Sequence, residues 1–485
     1  MFAAIKQLGK HSIVYGLGGL VTSLLGFVLL PIYTRYLTPA DYGVFSLLLV
    51  TSSVAGIIAQ LGLGSALFRE VIFRESDENV VESTALYFLI FEATIFFTIL
   101  MVFSSQFSSL IFASSRYASL LSLTFLTTLL GVFDVVTLAK LRIQGRSTLF
   151  AVLTIARFLV GFTLNVYFIV VLQHGLEGLV IANLLRAALF AVVSLGLLIG
   201  DLRPVFSMPI LQRLLSFGIP LVPFGISHLA LTSADRYILQ HFSTTAEVGL
   251  YSLGYTIGMM VNLIVSAVQL AWPAQMYTIA KRPDAEQQFS RILTYYLLVL
   301  GFIGLGLSVL AREVLMIMTT PSFYEAYIVV PMVALSYILW GTMYMTNTAL
   351  ETQNRVKYMS LTIVCCAILN LGLSYLLIPS HGMMGAAWAT FISYLALAVV
   401  QLAINLHFWY IPYEYRRIAK LAIAWGVMYV LNLFIKTSNV WLSASLKLLL
   451  LTTYPLFLYL LGFFEARELA RLKLLFQTGI QRMRV

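Results

Sequence analysis

Arg157 and Arg186 each stand about ten residues inside a long apolar run, 148–172 and 176–199, near the middle of a hydrocarbon layer if those runs cross one. A guanidinium at that depth costs roughly 2.5–3.5 kcal/mol even on the lower scales, so it faces a cavity or a partner. Its planar fork suits a phosphate group. Glu92 and Asp134 stand at comparable depths in the runs 80–103 and 118–141. Two acids and two bases therefore share one group of helices. Either they neutralise one another, or at least one arginine stays open to a cavity. Thr154, Arg157, Gly161 and Asn165 follow the three-and-four spacing of one helix face, a polar stripe of small residues.

The later part of the chain carries a different set. Asp235 and Arg236 lie near the end of the run 213–240, with His228 and Thr232 on the Asp235 face. Tyr255, Asn262, Ser266, Gln269 and the Trp272-Pro273 break follow in 248–277, and Trp340, Tyr344, Asn347 and Glu351 lie in and just beyond 326–350. Such aromatics and amides serve either as walls for hydroxylated rings or as hydrogen bonds between helices. Enzymatic signals are absent. Gly9-Lys10 is followed by His11 rather than Ser or Thr, and position 4 is Ala where a phosphate loop needs Gly. The six histidines are far apart, and Cys365 and Cys366 are adjacent within an apolar run, which gives neither a disulfide framework nor metal-ligand spacing.

The elements that must position these residues follow from composition. Of 485 residues, 60% are hydrophobic and 10% charged, against roughly 45–50% and about 25% in a soluble domain. The excess comes in runs of about twenty residues, the length that crosses a layer of about 30 Å. The runs near 12–36, 43–67, 80–103, 118–141, 148–172, 176–199, 213–240, 248–277, 291–318, 326–350, 358–378, 383–409, 417–435 and 441–463 predict an all-α integral membrane protein of about fourteen transmembrane helices. The connections leave no room for a further domain. The first run is too long for a signal-peptide core and lacks a small-residue cleavage site, so that helix is expected in the mature protein.

Alternate connections differ in charge. The set that includes both termini holds 22 of the 30 Lys and Arg, while the opposite set holds Arg35, Arg116, Arg312 and Lys436. Basic loops stay in the cytoplasm, which places both termini there. The scattered cations also account for the net charge of +10 without nucleic acid, which would need a basic face on a soluble module. Residues 465–485 set Leu469, Leu472, Leu475 and Phe476 at helical spacing among Arg471, Lys473, Arg482 and Arg484. They form either an amphipathic helix on an anionic leaflet or a solvated basic tail.

The chain also repeats itself. TPADYGVFSL from Thr38 returns as TTAEVGLYSL from Thr244, LRIQGR from Leu141 as LETQNR from Leu350, and HGLEGLVIAN from His174 as HGMMGAAWAT from His381. Three matches in order at nearly one offset predict a six-helix bundle in 1–200 duplicated in 201–410, with 411–485 adding two helices and the basic tail. An even number of helices keeps both copies in one direction, related by an axis along the membrane normal and facing each other across a central cavity.

The segment QLGKHSIVYGLGGLVTSLLGFVLLPIYTRYLTPADYGVFSLL, with TSADRYILQHFSTTAEVGLYSLGY and SAVQLAWPAQMY, resembles the polysaccharide exporters of the multidrug, oligosaccharidyl-lipid and polysaccharide superfamily, particularly the O-antigen (Wzx-type) flippases. The likeness spans the first twelve helices, and the count of fourteen also fits the related lipid II flippases. It implies alternating-access export of an undecaprenyl-pyrophosphate-linked oligosaccharide repeat unit, sugar first, from the cytoplasmic to the outer leaflet of a bacterial inner membrane. It implies no cofactor beyond a coupling ion, H+ or Na+, and names a polysaccharide polymerase and a chain-length regulator as further partners. Such a substrate needs cations for its pyrophosphate, for which Arg157, Arg186 and Arg236 are candidates. Arg35 and Arg69, at helix ends, either receive the pyrophosphate or snorkel to the interface. Gln60, Asn262, Gln269 and Asn347 are candidates for the sugar, and Asp235, Glu92 and Asp134 for ion coupling. Gly16, Gly18, Gly19, Gly26 and Pro31 mark a first helix able to bend as a gate. A cation-coupled multidrug exporter of the same superfamily is the nearest rival, but mid-membrane cations would repel its usual cationic drugs. A membrane polymerase would bring a large external loop or a carboxylate cluster, and the sequence has neither.

Overall fold

The computed structural model describes residues 27–465 and Glu468, apart from Glu75, Asn354, Lys436 and the side chains of Leu270, Ala274 and Val356. Most of the expected first helix, with Gly16, Gly18, Gly19 and Gly26, and most of the tail 465–485 lie outside the described residues. Within them the chain is helical, with no strand. In chain order the α-helices are α1 Leu30–Tyr36, α2 Pro39–Gln60, α3 Leu63–Arg74, α4 Glu78–Val102, α5 Ser104–Phe112, α6 Ala118–Leu130, α7 Val132–Ile143, α8 Ser147–Val166 and α9 Gly175–Leu198. They continue as α10 Met208–Gly218, α11 Leu221–Ser233, α12 Asp235–Phe242, α13 Thr245–Gly258, α14 Val261–Ile279, α15 Ala285–Met318, α16 Val330–Thr346 and α17 Thr348–Thr352. The last are α18 Val356–Phe408, α19 Tyr415–Phe434, α20 Val440–Thr452 and α21 Tyr454–Leu460. The longest connections between these helices, 319–329, which holds a short 3-10 helix, and 199–207, are too short for a folded domain.

Among the described residues ten helices are long and apolar enough to cross a membrane, and twelve with each of the two bent pairs, around 258–261 and 328–330, taken as one span. The longest crossing segment, Lys357–Phe408, has 52 residues. At 1.5 Å per residue it would extend about 78 Å, more than twice a hydrocarbon core of about 30 Å. It holds two crossings, because Gly382 leaves the helix at φ 53°, ψ −133°, a conformation that glycine adopts without strain. Glu247 Oε1 accepts the Met383 N–H at 2.7 Å, capping the second crossing. The described residues thus contain thirteen of the fourteen expected spans, and the fourteenth is the expected first helix.

Several spans break where polar residues follow. Between α2 and α3 the chain turns through Leu61 and Gly62, at φ 47° and 68°. Gly131 separates α6 from α7, and Ala234 separates α11 from α12. Asp134 and Asp235 then stand in the first turns of α7 and α12, where free N–H groups and the helix dipole favour an acid.

The two copies of the repeated segment pack on each other. Thr38 caps α2 and Thr244 caps α13 through their hydroxyls. Gly43 and Gly249 face one another so closely that a Cβ on either would overlap the backbone of the other helix. Ser46 and Ser252, one turn further along, share a hydrogen bond of 2.8 Å. The main apolar core runs through this contact, from Val44 and Leu47 to Val248 and Tyr251. The final helices are held differently. Lys447 of α20 pairs with Glu313 of α15 at 2.8 Å, and Ser443 donates to the same carboxylate at 2.7 Å.

Candidate substrate and ion sites

In the N-terminal part, Asp134 is the centre of a polar cluster built by three spans. Arg157 of α8 donates Nη2–H to Asp134 Oδ1, and Ser194 of α9 donates to the same oxygen at 2.8 Å. The Arg157 and Asp134 side chains remain 18% and 22% exposed. The Arg157 guanidinium lies over the Phe190 ring at 5.2 Å, a favourable contact for a cation. Arg186 lies in the field of Arg157, Asp134 and Tyr33 and donates to Asn183 Oδ1 at 3.2 Å. Its side chain crosses α8 at Gly161, where a Cβ would stand 2.7 Å from Arg186 Cδ. Glu92 joins no ion pair among the described residues, and its Oε2 is buried without a partner. Of the two acids and two bases, the structure pairs Arg157 with Asp134 and leaves Arg186 without a carboxylate partner among the described residues.

Gln60 joins this cluster from α2, since Gln60 and Asp134 line one cavity of about 410 Å³. Arg69 lies with its guanidinium over the Phe217 ring at 4.6 Å, and Arg35 is exposed in the last turn of α1.

The C-terminal cluster is drier. Asp235 is 1% exposed. Tyr251 donates to its Oδ2, as does Thr390 at 3.2 Å, while Oδ1 has no partner. Arg236 turns the other way, donating to Ser252 Oγ at 3.1 Å and to the Thr232 carbonyl at 3.3 Å. It lies over the Tyr255 ring at 4.8 Å. Tyr255 in turn shares a hydrogen bond of 3.1 Å with Tyr337. Arg236, Ser46 and Ser252 line a cavity of about 220 Å³ between α2 and the C-terminal helices.

The remaining amides are dispersed. Asn347 is fully buried and accepts from Asn405 Nδ2 at 3.3 Å, which ties α16 to α18. Asn262 has a buried Oδ1 without a partner. Gln269 accepts from Tyr344 OH through its backbone carbonyl at 3.3 Å. None of these three lines the two cavities above.

Sequence reasoning missed Asn183, Phe190 and Ser194, although their three-and-four spacing with Arg186 marks one face of α9. Tyr251 and Thr390 gave no such signal, because they reach Asp235 from other spans.

A family model described as "Polysaccharide biosynthesis protein" matches residues 32–275. No curated protein matches the chain. Among solved structures, the fold is similar to the lipid II flippase MurJ in its inward closed conformation, at 13% identity and TM-score 0.70, covering 93% of this chain and 97% of that one. It is also similar to an inward-facing multidrug resistance MATE family transporter of the MOP superfamily, at 17% identity and TM-score 0.61, covering 85% and 96%. The MATE multidrug transporter DinF-BH gives 18% identity and TM-score 0.59, covering 83% and 95%. Matched over half its length by that family model, this multi-pass helical chain belongs to the polysaccharide biosynthesis protein family.

Proposed function

We propose that the protein is a flippase that moves an undecaprenyl-pyrophosphate-linked oligosaccharide from the cytoplasmic to the outer leaflet of a bacterial inner membrane, with both termini in the cytoplasm. The observation that carries this reading is the arginine pair of the N-terminal cluster: Arg157 pairs with Asp134, while Arg186 bonds only the Asn183 amide and has no carboxylate partner among the described residues. A guanidinium without a carboxylate partner suits a pyrophosphate and disfavours a cationic drug. Arg157, part-exposed, exchanges Asp134 for the substrate, and Arg186 supplies the standing field. Asp235, with one unpartnered oxygen in a dry site, is the group we assign to coupling by H+ or Na+. The tyrosines and serines between the two parts supply the contact that rearranges during alternating access.

The test is glycan export in cells, with precursor in each leaflet and protein abundance measured together. Arg186→Ala should stall export by roughly ten- to hundredfold, the loss of a charge-assisted bond worth about 1.5–3 kcal/mol, with abundance unchanged. Lys at that position should recover part of it, because it keeps the charge but loses the fork. Normal export by Asp134→Asn/Arg157→Gln would reduce that pair to scaffold. Normal export by Arg186→Ala would sink the flippase site.

A further inference from the structure

The cavity of about 410 Å³ that Gln60 shares with Asp134 falls within the usual size of small-molecule sites, roughly 300–1,000 Å³. It lies between the α2–α3 break and one face of α7. Its polar groups are arranged in sequence along that face. At one end, Asp134 Oδ1 takes both Arg157 and Ser194, and Oδ2 has no hydrogen bond among the described residues. The exposed Gln60 amide lines the same cavity, with no hydrogen bond among the described residues. A carboxylate oxygen that accepts and an amide that both accepts and donates can together hold neighbouring hydroxyls. Gly62, packed against the Gly218 backbone, Gly64 and Gly131 contribute main chain rather than side chains to the lining.

At the other end, Arg142 is exposed in the last turn of α7. Its Nε donates to the Leu138 carbonyl at 3.1 Å, and no carboxylate pairs with it among the described residues, so its terminal nitrogens are available. Asp134, Leu138 and Arg142 are spaced by four residues on one face, about 12 Å from end to end at 1.5 Å per residue. A sugar joined to a phosphate spans such a row, with hydroxyls at Asp134 and Gln60 and phosphate at Arg142.

We infer that this cavity is an entry subsite for the phosphate-proximal sugar of the substrate, with Arg142 as its phosphate-positioning residue and Gln60 with Asp134 as its hydroxyl-binding pair. The inference rests on the flippase reading and goes beyond it by placing the sugar next to α2 before transfer to Arg157 and Arg186.

Binding to the purified full chain in nanodiscs tests it, with three separate probes: a short-chain prenyl pyrophosphate-linked N-acetylhexosamine, inorganic pyrophosphate and the free sugar. Arg142→Ala should weaken binding of the conjugate and of pyrophosphate by about tenfold, and Arg142→Lys by less. Gln60→Leu should weaken the conjugate by a similar factor and leave pyrophosphate unchanged. Ser65→Trp, which fills the cavity from an exposed position, should weaken the conjugate as well. If these variants bind the conjugate like the natural chain while Arg186→Ala loses it, the subsite is wrong and the flippase reading stands. If the natural chain binds no conjugate, both fall.

Discussion

The chain carries an Asp and an Arg in each of two clusters, in opposite environments. Asp134 and Arg157 bind each other and stay 22% and 18% exposed. Asp235 and Arg236, adjacent in sequence, are 1% and 8% exposed and turn to different partners. A part-exposed pair beside a cavity opens at lower cost than a buried one, because polar groups entering the cavity screen each charge as they separate. A buried carboxylate has no such freedom; it changes state only with a proton or cation, and its neighbours must then respond. On the proposed flippase reading, this difference fits substrate exchange at the N-terminal cluster and switching at the C-terminal one.

The strongest way to break this comparison is to remove one arginine from each cluster. Arg236→Ala should deplete folded protein from the membrane, because it leaves Asp235 in a dry site without its nearest cation. Uncompensated buried charges of that kind cost about 3–5 kcal/mol. Arg186→Ala should leave abundance intact and remove export. Quantifying both variants by immunoblot and by surface glycan separates the cases. If Arg236→Ala is abundant and export-dead, the C-terminal arginine belongs with the substrate after all.

A covalent lock sharpens the same division. Ser46 Oγ and Ser252 Oγ stand 2.8 Å apart across the packed repeat segments. Replacing both by Cys should allow a disulfide, whose sulfurs would hold this end shut beside the Gly43 and Gly249 contact. Oxidation should then abolish export and reduction should restore it, with substrate binding at the N-terminal cluster retained throughout. Export that continues in the fully oxidised form would mean that α2 and α13 never part.

Much of this was legible in the sequence, for identifiable reasons. Long apolar runs have one physical solution in lipid, so thirteen expected spans appear among the described residues close to where hydropathy put them. The division of α18 at Gly382 was also legible, because HGMMG carries that glycine. The depth of Arg157 and Arg186 followed from counting residues along a helix. Their partners did not, because pairing depends on how spans turn about their axes: Asp134 was at the right height for Arg157, and so was Glu92. The amides show the same limit. Asn347 has the spacing of a cavity wall, yet the fold turns it toward Asn405, and nothing local encodes that rotation. The spans 415–434 and 440–460 fall outside the repeat, and their anchor, Glu313 with Lys447, joins residues 134 positions apart.

That anchor gives a smaller expected effect. Lys447→Ala should lower thermal stability by about 3–5 kcal/mol, since it strands the buried Glu313 carboxylate. Lys447→Met with Glu313→Leu should recover most of the loss, because well-packed apolar residues replace a buried pair at little cost. Export per folded molecule should be unchanged in both. Loss of export in the stable double variant would show that the final helices contribute charge to transport rather than support.

The smallest effect concerns acid. Lys140 binds Glu82 at 3.0 Å and Asp201 at 2.6 Å, which fastens the connection after α9 to α7. The hydrogen bond and charge of Lys140 hold the Asp201 carboxyl below the ordinary aspartate range. A depressed folded pKa means that the carboxylate's contribution to stability is complete above the unfolded value, about 3.9, and is lost as pH falls through the lower folded value. Asp201 is 49% exposed, so solvent screens the pair and the contribution is small. Melting of the natural chain should therefore lose a little stability as pH falls below about 4 that Asp201→Asn has already lost, so the two curves converge on acidification. Curves that stay parallel through that window would leave Lys140 held by Glu82 alone.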